Sequence, residues 1–175
     1  MISNIIFQAD NENTLSNKIT EAFEQKPKKA YFFCGSLKES GFKIIEDNLI
    51  DSNVKSYFAI GIDKKNTTKV MLENILIYTK DVYIFSNNNV NEFLSNIIIF
   101  EYADKILLYS LNGSVSENSL STDYSLYVEI EFNLKDKEES SKVKSEIKNI
   151  LKIFEKLNFE KLTKTKIEEL VESKE

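Results

Sequence analysis

The sequence contains no histidine. Histidine is the side chain whose ordinary pKa lies nearest neutrality, and it is the commonest metal ligand in proteins. Its absence excludes Ser-His-Asp and Cys-His catalytic arrangements. With Cys34 as the single cysteine, a structural zinc site has almost no ligands, so we expect no metal. Cys34 lies in an apolar stretch with no histidine to activate it, which favours a packing role over nucleophilic catalysis.

Disulfides, glycine-rich loops and long apolar runs are also missing. A single cysteine cannot form an internal disulfide and fits a reducing compartment, so a cytoplasmic protein is expected. The four glycines match neither a Walker nor a Rossmann phosphate loop, and we expect no cofactor. No apolar run approaches the roughly 20 residues of a membrane-spanning helix, so no membrane partner is expected. The N-terminal segment also lacks the basic region of a signal peptide.

The net charge of −5 is unevenly distributed. Residues 135–175 hold 11 lysines and 10 acids, so the remaining 12 cations and 18 acids give residues 1–134 a charge of −6. A net negative charge over residues 1–134 is not the electrostatic pattern of a stand-alone nucleic-acid binder. The best local basic run is "KPKK" at 26–29, and such a short run is more typical of a solvated turn before a strand.

What the chain does contain is an alternation of strand and helix patterns. Strands are predicted at 4–8, 29–36, 54–63, 81–86, 96–101, 105–111 and 124–132, and helices at 13–26, 37–52 and 66–80. The first half therefore predicts a mainly parallel layer covered by helices, and the second half has antiparallel character. The fold class is α/β, with a mixed sheet flanked by helices over residues 1–134.

Residues 135–175 predict a helical C-terminal extension. An amphipathic helix over 136–162 carries its apolar residues on one stripe, and a second short helix follows. Two roles for the stripe stay open. Either it docks on the sheet, or Ile147, Ile150, Leu151 and Phe154 bind a helix of a second chain, because one apolar seam with charged flanks also suits helix pairing.

The order of these segments resembles the phospholipase D-like superfamily, and most closely its single-domain bacterial members related to nucleases. The resemblance covers residues 29–132 and rests on "AYFFCGSLKESGFKIIEDNL", "VKSYFAIGID", "NTTKVMLENIL", "DVYIFSN", "FLSNIIIFE", "KILLYSLNGS" and "YSLYVEI". In that family the catalytic strand carries the motif HxKxxxxD. Here "FLSNIIIFE" (93–101) has Leu94 at the histidine position, Asn96 at the lysine position and Glu101 at the acidic position.

The family's next strand ends in a GSxN signature, which has two candidate matches here. One is "YSLN" (109–112), which keeps Ser110 and Asn112; the other is "GSVS" (113–116), which keeps Gly113 and Ser114. Spacing from Glu101 slightly favours the first match. On the resemblance, the vestigial site would therefore comprise Leu94, Asn96, Glu101, Ser110 and Asn112.

The resemblance implies a degenerate active site. In the family, the histidine attacks phosphorus and forms a covalent intermediate, while the lysine and the polar signature hold the phosphoryl oxygens. Leu94 has no lone pair for attack, and the amide of Asn96 carries no charge. We therefore expect no phosphodiesterase activity by this route and assign no catalytic residue.

Three functions stay open. The first is an inactive phospholipase D-like scaffold or regulatory binding module. Because active single-motif relatives pair two copies across their active site, its expected partner is a second copy or an active paralogous chain. The second is a nucleic-acid-binding component of a restriction or defence nuclease system. The third is an enzyme of an unrelated class that uses Glu101, Asp63 or Ser110. "FLSNIIIFE" also suits an ordinary buried strand of an unrelated α/β protein.

Overall fold

The computed structural model describes residues 1–8, 14–50, 52–62, 67–85, 96–122, 125–156 and 159–172. The strands are β1 (Ile2–Gln8), β2 (Lys29–Cys34), β3 (Lys55–Gly61), β4 (Val82–Phe85), β5 (Asn96–Glu101), β6 (Lys105–Leu111), β7 (Ser125–Asn133) and β8 (Glu160–Lys161). The helices are α1 (Leu15–Glu24), α2 (Glu39–Leu49), α3 (Lys69–Tyr78), α4 (Lys137–Lys156) and α5 (Lys164–Glu172), and a π-helical turn spans Asn118–Thr122.

Within the described residues the strands form one eight-stranded mixed sheet in the order β1-β7-β6-β5-β2-β3-β4-β8. Strands β2, β3 and β4 run parallel and are joined by α2 and α3, whereas β5, β6 and β7 pair antiparallel. The predicted α/β class with a mixed sheet is confirmed. β1 departs from the parallel layer, because it pairs antiparallel with β7 at one edge of the sheet.

One face of the sheet is covered by α1, α2, α3 and α5. The aromatic side chains of β2 and β3 form its centre, where Phe32 stacks on Phe58 at a ring-centroid distance of 4.6 Å. α1 and α3 begin at threonine caps: the hydroxyls of Thr14 and Thr68 accept backbone N–H groups three residues further on. α1 buries one apolar stripe, as the spacing of its apolar residues predicts, and α3 buries Met71, Leu72 and Ile75.

The opposite face is covered by α4. Ile147 is buried beside Tyr31, Ile99 and Ile106, and Val143, Ile150 and Leu151 pack against the same cluster. The apolar stripe of α4 therefore packs on the sheet of its own chain, which is the first of the two roles predicted for it. Phe154 belongs to α4, but its side chain lies outside what the structure describes. A helix-binding role for these residues stays a prediction.

The C-terminal segment also extends the sheet. The predicted long helix ends at Lys156, and β8 then pairs antiparallel with β4. Leu162 and Ile167 join the same core as α1, α2 and α3. The predicted boundary near residue 134 therefore separates two stretches of sequence that share one sheet. In the described part of the chain, no helix is long and apolar enough to cross a membrane.

Candidate functional site

Asn96 is the first residue of β5 and meets the carboxyl end of β2, where it aligns with Cys34. Its side chain is 7% exposed. The backbone N–H of Gly35 donates to Asn96 Oδ1 at 3.1 Å, and Asn96 Nδ2 donates to the carbonyl oxygen of Gly113. One amide therefore joins the segment that follows β2 to the segment that follows β6. We call these three residues the Asn96 clamp.

The two segments held by the clamp are also bonded directly to each other. The N–H of Val115 donates to the carbonyl of Ser36 at 2.8 Å, and the N–H of Lys38 donates to the carbonyl of Val115 at 2.9 Å. α2 follows immediately and approaches closely at Gly41, where a Cβ atom would lie 2.5 Å from the Val115 carbonyl oxygen. A larger residue at 41 would push the helix away, so glycine fixes this approach.

The loop that contains Gly113 is ordered by its own backbone and hydroxyl groups. Gly113 has a φ of +84°, a left-handed conformation that side chains other than glycine rarely adopt. The Ser119 hydroxyl donates to the carbonyl of Ser114 at 2.7 Å and accepts the N–H of Ser116 at 2.9 Å. These bonds set the direction in which the Gly113 carbonyl meets Asn96.

The two candidate matches to the GSxN signature lie in different places. Ser110 pairs with Ile97 in the β5–β6 ladder, and side chains alternate along a strand, so Ser110 lies on the sheet face opposite to Asn96. Asn112 follows β6 at the same end of the sheet as Asn96 and is exposed. Gly113, the first residue of "GSVS", contacts Asn96. The structure thus brings Asn96 together with "GSVS" and separates it from Ser110.

Glu101 lies at the other end of β5, five residues from Asn96, which corresponds to about 17 Å along a strand. Its carboxylate forms an ion pair with Lys29 Nζ at 3.3 Å and accepts the Tyr31 hydroxyl at 3.3 Å. Burial raises the pKa of Tyr31, and the nearby carboxylate raises it further. Glu101 therefore ties neighbouring strands together and does not share a site with Asn96.

Leu94 and Asp63 lie outside the described residues. Cys34 is fully buried, and burial raises the pKa of its thiol to about 12, so the thiol is protonated at neutral pH and packs in the core. Among the described residues, no three histidine, cysteine or carboxylate side chains gather into a group that could hold a metal.

A groove of about 540 Å³ lies between α4 and the sheet, and no sequence pattern predicted it. Its floor is apolar, with Ile106, Leu108 and Phe132, and Glu139 on its rim pairs with the amino group of Met1 at 2.9 Å. The groove lies on the face away from Asn96. Nor did the sequence predict the roles of Gly35 and Gly113 in the clamp. The available signal was a glycine near the end of a predicted strand, inside it at Gly35 and beyond it at Gly113.

Comparison with known proteins supports the fold. No protein-family model and no curated protein matches the sequence. NucT from Helicobacter pylori superposes with a TM-score of 0.57 at 13% identity, over 86% of this chain and 96% of that chain. Nuc from Salmonella typhimurium, a phospholipase D family member, superposes with a TM-score of 0.52 at 12% identity, over 82% of this chain and 91% of that chain. The resemblance drawn from segment order is therefore confirmed: the chain has a phospholipase D-like fold, similar to that of bacterial nuclease-related members.

Proposed function

We propose that this chain is a phospholipase D-like domain without hydrolytic chemistry, which acts as a scaffold or binding module. The observation that carries the proposal is the Asn96 clamp. At the position that corresponds to the family's lysine, this chain has a neutral, buried amide whose donor and acceptor both engage backbone groups. That side chain serves the structure of the loops and offers no cation to a phosphoryl group.

The chemistry of the remaining residues supports the same conclusion. The chain has no histidine, so no imidazole can form a phosphohistidine intermediate. Ser110 lies on the opposite face of the sheet and Glu101 at the opposite end of β5, so neither stands beside Asn96 as a substitute nucleophile. A phosphodiester placed at this end of the sheet would lack both a nucleophile and a counter-charge from these residues.

The test is a hydrolysis assay on bis(p-nitrophenyl) phosphate and on plasmid DNA, each with Mg²⁺ and with EDTA. We expect no product above the buffer blank. Asn96→Ala and Asn48→Ala form the control pair, because Asn48 donates only to the Ile44 carbonyl within α2. Turnover that Asn96→Ala abolishes and Asn48→Ala retains, with both proteins folded, would overturn the proposal. Turnover equal in all three proteins would indicate a contaminating nuclease.

The nucleic-acid alternative has less support. The lysines at the amino ends of the strands are neutralised: Lys29 pairs with Glu101, Lys55 with Asp81 at 3.7 Å and Lys105 with Glu131 at 3.4 Å. We therefore propose a protein partner. Fluorescence anisotropy with single-stranded and duplex DNA and RNA at about 50 mM salt tests this, since phosphate contacts strengthen as salt falls. Salt-dependent binding in the micromolar range would favour the nucleic-acid alternative.

A further inference from the structure

The groove between α4 and strands β5, β6 and β7 has the size and lining of a small-molecule site. Its volume of about 540 Å³ falls within the range of about 300–1,000 Å³ that is usual for ligand pockets. Leu108 and Phe132 on its floor are half-buried, while Ile99 and Ile106 are 1% and 0% exposed. The groove therefore reaches from the surface to the apolar layer beneath α4, and it can hold the apolar body of a ligand.

Glu139 places a carboxylate on the face of α4 that is otherwise apolar. Residues three and four positions apart lie on one face of a helix, and Glu139 begins the series that continues with Val143, Ile147 and Ile150. Those three residues pack on the sheet, and Glu139 lines the groove beside them. The Oε1 atom of Glu139 is shielded from solvent. A shielded carboxylate needs a positive partner, because a charge removed from water without one is costly.

The positive partner of Glu139 in this structure is an ammonium group on an exposed residue. The amino group of Met1 lies 2.9 Å from Glu139 Oε1, and Met1 is 75% exposed. Ion pairs that involve exposed groups contribute little to stability, so a ligand can displace this amino group. A ligand that does so has to bring a positive charge of its own, since the shielded oxygen would otherwise lose its partner.

The remaining charges around the groove also favour a cation over an anion. The charged side chains that line it are four carboxylates and one ammonium: Asp136, Glu138, Glu139 and Glu146 against Lys142. The amino terminus of α4 would otherwise attract an anion. It is already capped by the Asp136 carboxylate, which accepts the N–H groups of Glu138 and Glu139 at 2.9 and 3.0 Å. An anionic amphiphile such as a fatty acid would therefore meet repulsion here.

We propose that this groove binds a cationic amphiphile, a small molecule with an apolar chain or ring and a primary or secondary ammonium group. The apolar part lies on the floor formed by Ile106, Leu108 and Phe132. The ammonium group pairs with Glu139 in place of the Met1 amino group. The groove lies on the face of the sheet away from the Asn96 clamp, so this site is separate from the proposed absence of hydrolytic chemistry and does not rest on it.

The first experiment is isothermal titration calorimetry of the full chain at neutral pH with decylamine, decanol and decanoate, each below its micelle concentration. The three probes share one apolar chain and differ in the charge of the head group. We expect decylamine to bind about tenfold more tightly than decanol, because its ammonium group pairs with Glu139, and decanoate to bind most weakly. Octylamine should bind about tenfold more weakly than decylamine, since each buried methylene contributes about threefold to fourfold in affinity.

The second experiment repeats the titrations on three variants, with thermal melts to check that each one folds. Glu139→Gln keeps the shape of the side chain and removes its charge, so the affinity for decylamine should fall about tenfold while that for decanol is retained. The matched control is Glu168→Gln, which makes the same charge change at an exposed position on α5, across the sheet, and should bind like wild type. Leu108→Trp fills the floor and should weaken both probes. The comparison of octylamine with decylamine tests the floor without a mutation.

Each unfavourable outcome overturns a different part of the proposal. No heat of binding for decylamine up to millimolar concentration would remove the site altogether. Equal affinity for the three head groups, or an equal loss in Glu139→Gln and Glu168→Gln, would contradict the role of Glu139. Full decylamine binding by a folded Leu108→Trp variant would place the ligand outside the groove. None of these results affects the proposed absence of hydrolytic chemistry, which the phosphodiesterase assay tests separately.

Discussion

Removal of the Asn96 amide tests whether the clamp holds the loops. Asn96→Ala deletes the acceptor for the Gly35 N–H and the donor to the Gly113 carbonyl. A typical internal hydrogen bond contributes about 0.5–1.5 kcal/mol net, so two such bonds amount to about 2 kcal/mol. Gly35 is half-buried and Gly113 is exposed, so water relieves part of the loss at the carbonyl more readily than at the N–H. We expect the free energy of unfolding to fall by about 2 kcal/mol.

The assay is urea unfolding followed by circular dichroism, with a thermal melt beside it. For a chain of this length, about 2 kcal/mol corresponds to a fall of about 4–8 °C in the melting temperature. Asn48→Ala is the matched control, because that amide bonds within its own helix and alanine has the highest helix propensity, so its stability should change by about 0.5 kcal/mol or less. If the two variants were equally stable, Asn96 would not be a structural clamp.

Asn96→Asp separates the two bonds of the clamp. An ionised carboxylate still accepts the Gly35 N–H, but it cannot donate to the Gly113 carbonyl. Its second oxygen then faces the Gly113 carbonyl oxygen, and the two acceptors repel each other. Burial and that carbonyl would raise the pKa of the introduced carboxyl in the folded state above its unfolded value of about 3.9. The stability deficit relative to wild type should therefore be small below about pH 4 and grow as pH rises. A deficit independent of pH would contradict the assigned donor.

Three further predictions concern the surrounding structure. Gly41→Ala should destabilise the chain by about 1–3 kcal/mol in urea unfolding, because its Cβ would lie 2.5 Å from the backbone oxygen of Val115; unchanged stability would show that α2 can shift. Glu101→Gln should cost about 1 kcal/mol or less, because its pair with Lys29 is partly exposed, and the cost should shrink in high salt. Burial raises the pKa of the Cys34 thiol to about 12, so the thiol contributes fully to stability below its unfolded pKa of 9.0, and this contribution is lost as pH rises from about 9 to 12. A thiol reagent at pH 8 should therefore react with Cys34 only after unfolding.

Most of the fold could be predicted because the spacing of apolar residues along the sequence indicates which faces of each strand and helix are buried. β2 and β5 are apolar on both faces, and the structure pairs them at the centre of the sheet. The amphipathic spacing in α1, α2 and α4 gave helices whose bounds differ by a few residues from those predicted. β8 was missed because two residues carry no periodicity. The neighbour of β1 was missed because alternation shows that a strand exists but not which strand it pairs with.

The candidate site was harder to predict because its geometry depends on tertiary contacts. The resemblance selected Asn96, but the partners of its amide come from segments 61 residues before it and 17 residues after it. Counting along the chain favoured "YSLN" over "GSVS". The number of residues between Glu101 and each candidate does not show that Ser110 pairs with Ile97 and therefore lies on the other face of the sheet. Which side of a sheet a residue occupies is set by ladder register, and register was not readable from spacing alone.

The chemistry of residue 96 explains how the two segments at this end of the sheet are held together without a charged group. The clamp must accept one N–H and donate to one carbonyl at the same time. A lysine only donates, so it would leave the Gly35 N–H without an acceptor and bring a positive charge into a position that is 7% exposed. A leucine would satisfy neither group. The amide of asparagine satisfies both groups and carries no charge, so Asn96 stabilises the two loops around it without a buried cation.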